Sequence, residues 1–248
     1  MTHPVILPAL WAFAVLVCAA CNSSPGRPRL GSEVVPPDQI LEFNILYAQN
    51  CAGCHGSGGN GGAGLALRDP VFLAIADNSV IRNATSNGMP GTAMPAFAQS
   101  AGGMLTDKQV EALVSGIRSW APSEDLRGAN PPPYAAKTAG NVQHGAEVYQ
   151  TFCSSCHGPN GTGGNRASSI VDRSYLALVS DQYLRTEVIA GRPELGAPDW
   201  RDNVPGRPMS DQEVTDVVAW FASQRAANPG QPYPDSKNVQ HQEHHDVE

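Results

Sequence analysis

The chain has 248 residues, room for one large domain or two small ones, and its 41 % hydrophobic content is that of a globular protein with a core to bury. Lys and Arg number 16 against 23 Asp and Glu, a formal net charge of −7. No basic run is long enough to follow a phosphate backbone, which argues against nucleic acid as a partner.

An apolar run from Val5 to Val17, broken by Pro8, ends in Ala19 and Ala20 just before Cys21. Residues 1–20 therefore read as a signal peptide, too short to span a bilayer comfortably. Cys18-Ala19-Ala20-Cys21 resembles a bacterial lipobox, whose final cysteine is lipidated and becomes the mature N-terminus, although Cys18 stands where leucine is usual and no Lys or Arg precedes the run. The expectation is an exported, periplasmic or extracytoplasmic lipoprotein anchored to a membrane through Cys21, with residues 21–36 as a tether.

Beyond the tether the chain repeats itself with a period of just over a hundred residues, too long for a solenoid and suited to two duplicated domains. Tyr47-Ala-Gln-Asn-Cys51-Ala-Gly-Cys54-His55-Gly returns as Tyr149-Gln-Thr-Phe-Cys153-Ser-Ser-Cys156-His157-Gly. Phe72 to Phe97 runs without a gap onto Tyr175 to Trp200, and Leu105-Thr106-Asp107 returns as Met209-Ser210-Asp211. Each copy, 37–121 and 140–226, opens and closes with a helical segment. Glycine-rich loops, Gly56 to Gly64 and Gly158 to Gly164, follow the Cys-His pairs. The closing helices place Val110, Leu113, Val114 and Ile117, and Val214, Val217, Val218 and Phe221, on one face. Both start with a capping box, Thr106 with Gln109 and Ser210 with Glu213. Between the copies, 122–139 with Pro131-Pro132-Pro133 reads as a semi-rigid linker, and 227–248 as a disordered tail. His241, His244 and His245 sit in that tail. No alternating strand pattern occurs, so the fold class is all-α.

Cys51-Ala-Gly-Cys54-His55 and Cys153-Ser-Ser-Cys156-His157 carry the chemistry. Two thiols three positions apart on a helical turn can add to the two vinyl groups of one haem, and the next histidine then offers its imidazole to the iron. A four-cysteine zinc site or a pair of disulfides would also use these thiols, but neither explains a histidine directly after the second cysteine of both pairs. The cofactors expected are two covalently bound haem c groups.

With these motifs the chain, over nearly all of Pro37 to Gln224, resembles the class I cytochrome c superfamily in its tandem dihaem form. The resemblance implies two small helical domains, each around one haem, with an N-terminal helix crossed by a C-terminal one and a methionine on the far side of the ring. Gly145-x-x-x-Tyr149 matches the family's helix crossing, whereas Phe43 replaces the glycine in the first copy and implies a wider crossing there. The family methionine falls on Met94, in Gly91-Thr92-Ala93-Met94-Pro95, with Met89 and Met104 as weaker rivals; His55, Met94 and His157 are then the iron ligands. In the second copy Met94 meets Ala197, which cannot ligate iron. Met209 reads as a staple before the N-cap Ser210, with iron ligation as its alternative. His144, on the N-terminal helix, is not expected to reach the distal face. The function implied is electron transfer in a respiratory or redox chain, with membrane respiratory complexes or other redox proteins as partners. The alternative is a peroxidase-like enzyme using an open sixth position at the second haem, although Gly191 to Pro205 holds no histidine to act as acid or base.

Overall fold

The computed structural model describes residues 34–121, 126 and 129–227. The signal peptide, Cys18, Cys21 and nearly all of the tether, together with the tail from 228 and its histidines, lie outside the described residues. From Leu41 the described residues form one compact unit that holds both copies.

Among the described residues the fold is all-helical, with isolated bridges at Ala98 with Leu105 and Arg192 with Ala197 in place of strands. The first copy contributes α1 (Phe43–Asn50), α2 (Ala52–His55), α3 (Pro70–Ile75), α4 (Asn78–Asn87) and α5 (Asp107–Arg118); the second contributes α6 (Val142–Phe152), α7 (Ser154–His157), α8 (Arg173–Leu178), α9 (Asp181–Ala190) and α10 (Asp211–Ser223). The gapless match therefore holds in three dimensions, because α8 and α9 start and stop at the counterparts of the residues that bound α3 and α4.

Local chemistry explains these boundaries. Asp69 and Asp172 cap α3 and α8, each accepting from the next two free backbone N–H groups at 2.8 to 2.9 Å. Both capping boxes are formed: Gln109 Oε1 accepts from the Thr106 N–H at 3.0 Å, and Glu213 Oε2 from the Ser210 N–H at 2.8 Å. Arg118 then donates to the Leu73 carbonyl at 2.6 Å, and Arg225 to the matching Leu176 carbonyl at 3.1 Å, so each closing helix seals the C-terminus of the short helix beneath it.

The core of each copy lies where the closing helix crosses the opening one. Leu113, Val114, Val214 and Val217 are fully buried, and each such side chain stabilises the fold by roughly 1.5–3 kcal/mol on area transfer. At the second crossing backbone meets backbone: a Cβ on Gly145 would overlap the Asp216 carbonyl. At the first crossing the Phe43 ring lies between the helices, seated on Gly116 of α5, where a Cβ would overlap the ring. The glycine has changed helices, and a ring on glycine packs the first crossing.

The segment read as a linker is tied down at its C-terminal end. Arg185, only 3 % exposed, donates to the carbonyls of Pro133 at 2.8 Å and Tyr134 at 3.1 Å, to Thr215 Oγ1 at 2.9 Å, and pairs with Asp211. A buried guanidinium needs this many acceptors, and the carbonyls fix the path of the chain into the second copy.

Candidate functional site

Both Cys-x-x-Cys-His segments form one helical turn immediately after the opening helix of their copy. Two anchors hold each turn. Tyr47, one turn before Cys51, donates its hydroxyl to the Gly56 carbonyl at 3.0 Å, and Tyr149 donates to the Gly158 carbonyl. Gly56 (φ +76) and Gly158 (φ +77) then turn the chain sharply, so close to the following loop that a side chain would strike the Gly61 or Gly163 carbonyl.

That loop comes back over the histidine. His55 Nδ1 lies 2.8 Å from the Leu65 carbonyl, and His157 Nδ1 lies 2.8 Å from the Ser168 carbonyl. A carbonyl only accepts, so the proton sits on Nδ1 and the Nε2 lone pair is left free for a metal, the arrangement by which a second shell orients a histidine ligand. Burial lowers the His55 pKa, partly opposed by the Leu65 bond, and so keeps the ligating neutral form. Burial, reinforced by the neighbouring Cys54, pushes the Cys51 thiol up to about 11; burial and Cys156 push Cys153 up to about 12.

The four thiols are not joined to one another, and among the described residues no three or more His, Cys, Asp or Glu gather into a metal cluster. The single zinc site and the disulfide staples therefore lack their geometry. A haem in each copy fits better: each turn presents two unjoined cysteines and an imidazole already fixed in the ligating tautomer.

The methionines occupy different stations. Met94 is partly exposed; its carbonyl accepts from the Met89 N–H at 3.0 Å, and its own N–H donates to Thr92 Oγ1 at 3.2 Å. In the second copy the Ala197 carbonyl accepts from the Arg192 N–H, also at 3.0 Å. Ala197 therefore stands where Met94 stands, and Arg192 where Met89 stands. Met209 is 3 % exposed, in the core, and its N–H donates to the Trp200 carbonyl at 2.8 Å, as that of Leu105 does to Phe97. It fills Leu105's place before the N-cap. Met104 is 81 % exposed.

His144 has another partner, for its Nδ1 lies 2.6 Å from Asp216 Oδ2 across the second helix crossing. The bond to Asp216 raises the His144 pKa above its ordinary 6.5. Burial pushes the Asp216 carboxyl up, but hydrogen bonds from Asn141, His144 and Gln212 outweigh it, and the net shift is below the ordinary 3.8. The histidine contribution to stability is complete below pH 6.5 and is lost as pH rises through its raised value; the aspartate contribution is present above pH 3.8 and is lost as pH falls through its lowered value. Thermal melts of wild type and His144→Ala are expected to differ most between about pH 4 and 6.5 and to converge above that window. A difference that grew toward pH 8 would contradict the pairing.

Beside Ala197 lies a group whose pairing was not anticipated from the sequence. Arg192 donates to Glu187 Oε1 at 3.1 Å, to Glu194 Oε1 at 2.5 Å and to the Gly62 carbonyl of the first copy at 2.8 Å. Glu187 also takes a hydrogen bond from Tyr183, and burial raises its pKa although Arg192 opposes the shift. The signal was available in the repeat: Tyr183, Glu187 and Arg192 stand at the positions of Val80, Ala84 and Met89.

Residues 38–115 match the family model described as cytochrome c oxidase, cbb3-type, subunit III, and residues 142–225 match the cytochrome c model. The chain is 32 % identical over 128 residues to the cbb3-type cytochrome c oxidase subunit CcoP of Azospirillum sp. (strain B510), covering 47 % of this chain and 38 % of that protein. It is 28 % identical over 162 residues to the subunit FixP of Sinorhizobium medicae (58 % and 50 %), and 31 % identical over 137 residues to that of Azorhizobium caulinodans (52 % and 41 %). The chain thus spans half or less of the length of these relatives. Each copy is a cytochrome c domain. The chain as a whole belongs to the tandem dihaem c-type cytochromes and carries two covalently bound haem c groups.

Proposed function

We propose that this cytochrome is an electron carrier, with the first haem held by Cys51, Cys54 and His55 and the second by Cys153, Cys156 and His157. The observation that carries the reading is the doubled turn, in which each histidine is fixed by a loop carbonyl at 2.8 Å with Nε2 free. When bound, each haem supplies an iron that changes charge by one electron while its ring stays attached. The protein's part is to keep the ligands in place in both states, and the bonds from Tyr47, Tyr149, Leu65 and Ser168 do this without moving parts. Met94 would supply a soft, neutral ligand to the first haem's iron, and His/Met ligation raises the potential relative to His/His.

The names of the relatives, subunits of cbb3-type oxidases, support a membrane respiratory complex as the partner. Among the described residues no helix is long and apolar enough to cross a membrane. Residues 1–20 act as the export signal, and a lipid on Cys21 would keep the domains near that complex and raise their effective concentration there. Cys21→Ser is expected to release the protein from membranes with both haems unchanged; retention on the membrane counts against the lipid. The peroxidase-like alternative is not favoured: the charged groups along the chain on either side of Ala197 are paired among themselves, Arg192 with Glu187 and Glu194, and Arg201 with Asp199.

A redox titration followed by absorbance tests the carrier reading, with two one-electron components expected. Met94→Ala is expected to abolish the sulfur-to-iron band, lower the higher potential and leave the other component in place. An unchanged band in that variant removes Met94 from the iron.

A further inference from the structure

The two copies differ in one concerted way. Along the face that leads to Met94 the first copy carries Val80, Ala84 and Met89; the second carries Tyr183, Glu187 and Arg192, with Ala197 at the end. Tyr183 and Glu187 are four residues apart on α9 and share a face. The opposite face is core, with Leu184 4 % and Ile189 0 % exposed. Arg192 is paired backbone to backbone with Ala197 and is bound through its guanidinium to Glu187. The polar groups and the position without a ligand are therefore one connected patch.

We propose that the distal face of the second haem site binds a small neutral diatomic ligand, with the Arg192 guanidinium as its hydrogen-bond donor and Glu187, which also takes the Tyr183 proton, as the residue that positions it. The proposal rests on the dihaem reading above. Ala197 ends at Cβ where Met94 carries a thioether, so the second site has space where the first has a ligand. Met209 does not fill that space, since it is packed at Leu105's station. The polarity and donors of a distal pocket decide between ligand binding and plain electron transfer, and the second copy has exchanged three apolar residues for two donors, Tyr183 and Arg192, and an acceptor, Glu187. An anion is disfavoured, because the Glu187 and Glu194 carboxylates flank the Arg192 guanidinium, with Tyr175 and Tyr183 the other titratable groups facing Glu187 and Arg192. A neutral ligand that accepts a hydrogen bond meets no such repulsion.

Carbon monoxide on the reduced protein is the probe, with covalent haem counted on the same samples as the pyridine haemochrome. Wild type is expected to bind at one haem of the two, Met94→Ala at both, and Ala197→Met at none with two haems still attached. Arg192→Met, which places the first copy's residue at this position, is expected to keep the stoichiometry, weaken binding about fivefold through loss of one net hydrogen bond and move the C–O stretch upward. Wild type that carries two haems and binds no carbon monoxide overturns the open site, as does binding that survives Ala197→Met. An unchanged stretch and affinity in Arg192→Met overturns the donor. A count below two covalent haems in wild type sinks the dihaem reading instead, so the two failures are distinguishable.

Discussion

Changing Cys51 and Cys54 together to alanine is expected to remove one covalent haem of the two and to leave the second with an unaltered spectrum. Nothing in the second turn depends on the first: Cys153 to His157 is held by Tyr149 and the Ser168 carbonyl, both in its own copy. The first copy, by contrast, would lose its attachment while keeping His55, and a haem held by ligation alone is removed by acid-acetone extraction. The readout is the haemochrome before and after extraction, with Cys153→Ala and Cys156→Ala as the mirror experiment. Loss of both haems from either double variant would mean that the copies are not independent haem domains. Zinc in place of iron in metal analysis would end the haem reading altogether.

The parts of this architecture that were legible in the sequence are those written in local spacing. Cys-x-x-Cys-His, the capping boxes at Thr106 and Ser210 and the apolar faces of α5 and α10 each occupy one helical turn or a few, and each formed as spacing requires. The repeat also carried long-range information, since the gapless match put Ala197 at Met94's place and the backbone bonds agree. What could not be read depends on groups without a side-chain signature or on contacts across the fold. The carbonyls of Leu65 and Ser168, which orient the two histidines, belong to the backbone and any residue supplies them. Arg118 and Arg225 seal equivalent helix ends, yet they fall three residues out of register in the repeat, Arg118 as the last residue of α5 and Arg225 two residues beyond the end of α10. His144 was excluded as a ligand on distance along the helix, and only the fold supplies the partner, Asp216, that explains it. The exchange of Phe43 and Gly116 for Gly145 and Trp220 was legible in principle, because the aligned positions trade large for small on both helices at once.

That exchange leads to the largest stability effect expected of a single methyl group. Gly145→Ala brings two opposed terms. Alanine favours the interior of α6 over glycine by about 1 kcal/mol, and by propensity alone the variant would be more stable. The added Cβ, however, would overlap the backbone carbonyl of Asp216 and lie 2.9 Å from the Trp220 Cβ, and neither a carbonyl in mid-helix nor a Cβ can turn aside as a side-chain end could. Relief requires α6 and α10 to move apart, which loosens the Tyr149–Trp220 stack at 4.4 Å and the His144–Asp216 bond at 2.6 Å together. Overpacking of this kind costs about 1–3 kcal/mol where side chains adjust, and here the upper end applies because backbone is the obstacle. After the propensity gain a net loss of about 2 kcal/mol remains, a fall of roughly 10 °C in the melting midpoint of a domain this size. In the first copy the obstacle is the ring of Phe43, which can rotate, so Gly116→Ala is expected to cost less than Gly145→Ala. Melts followed by each haem's own absorbance separate the two domains, and a Gly145→Ala protein that melts at or above wild type would show that the second crossing has slack the packing does not allow.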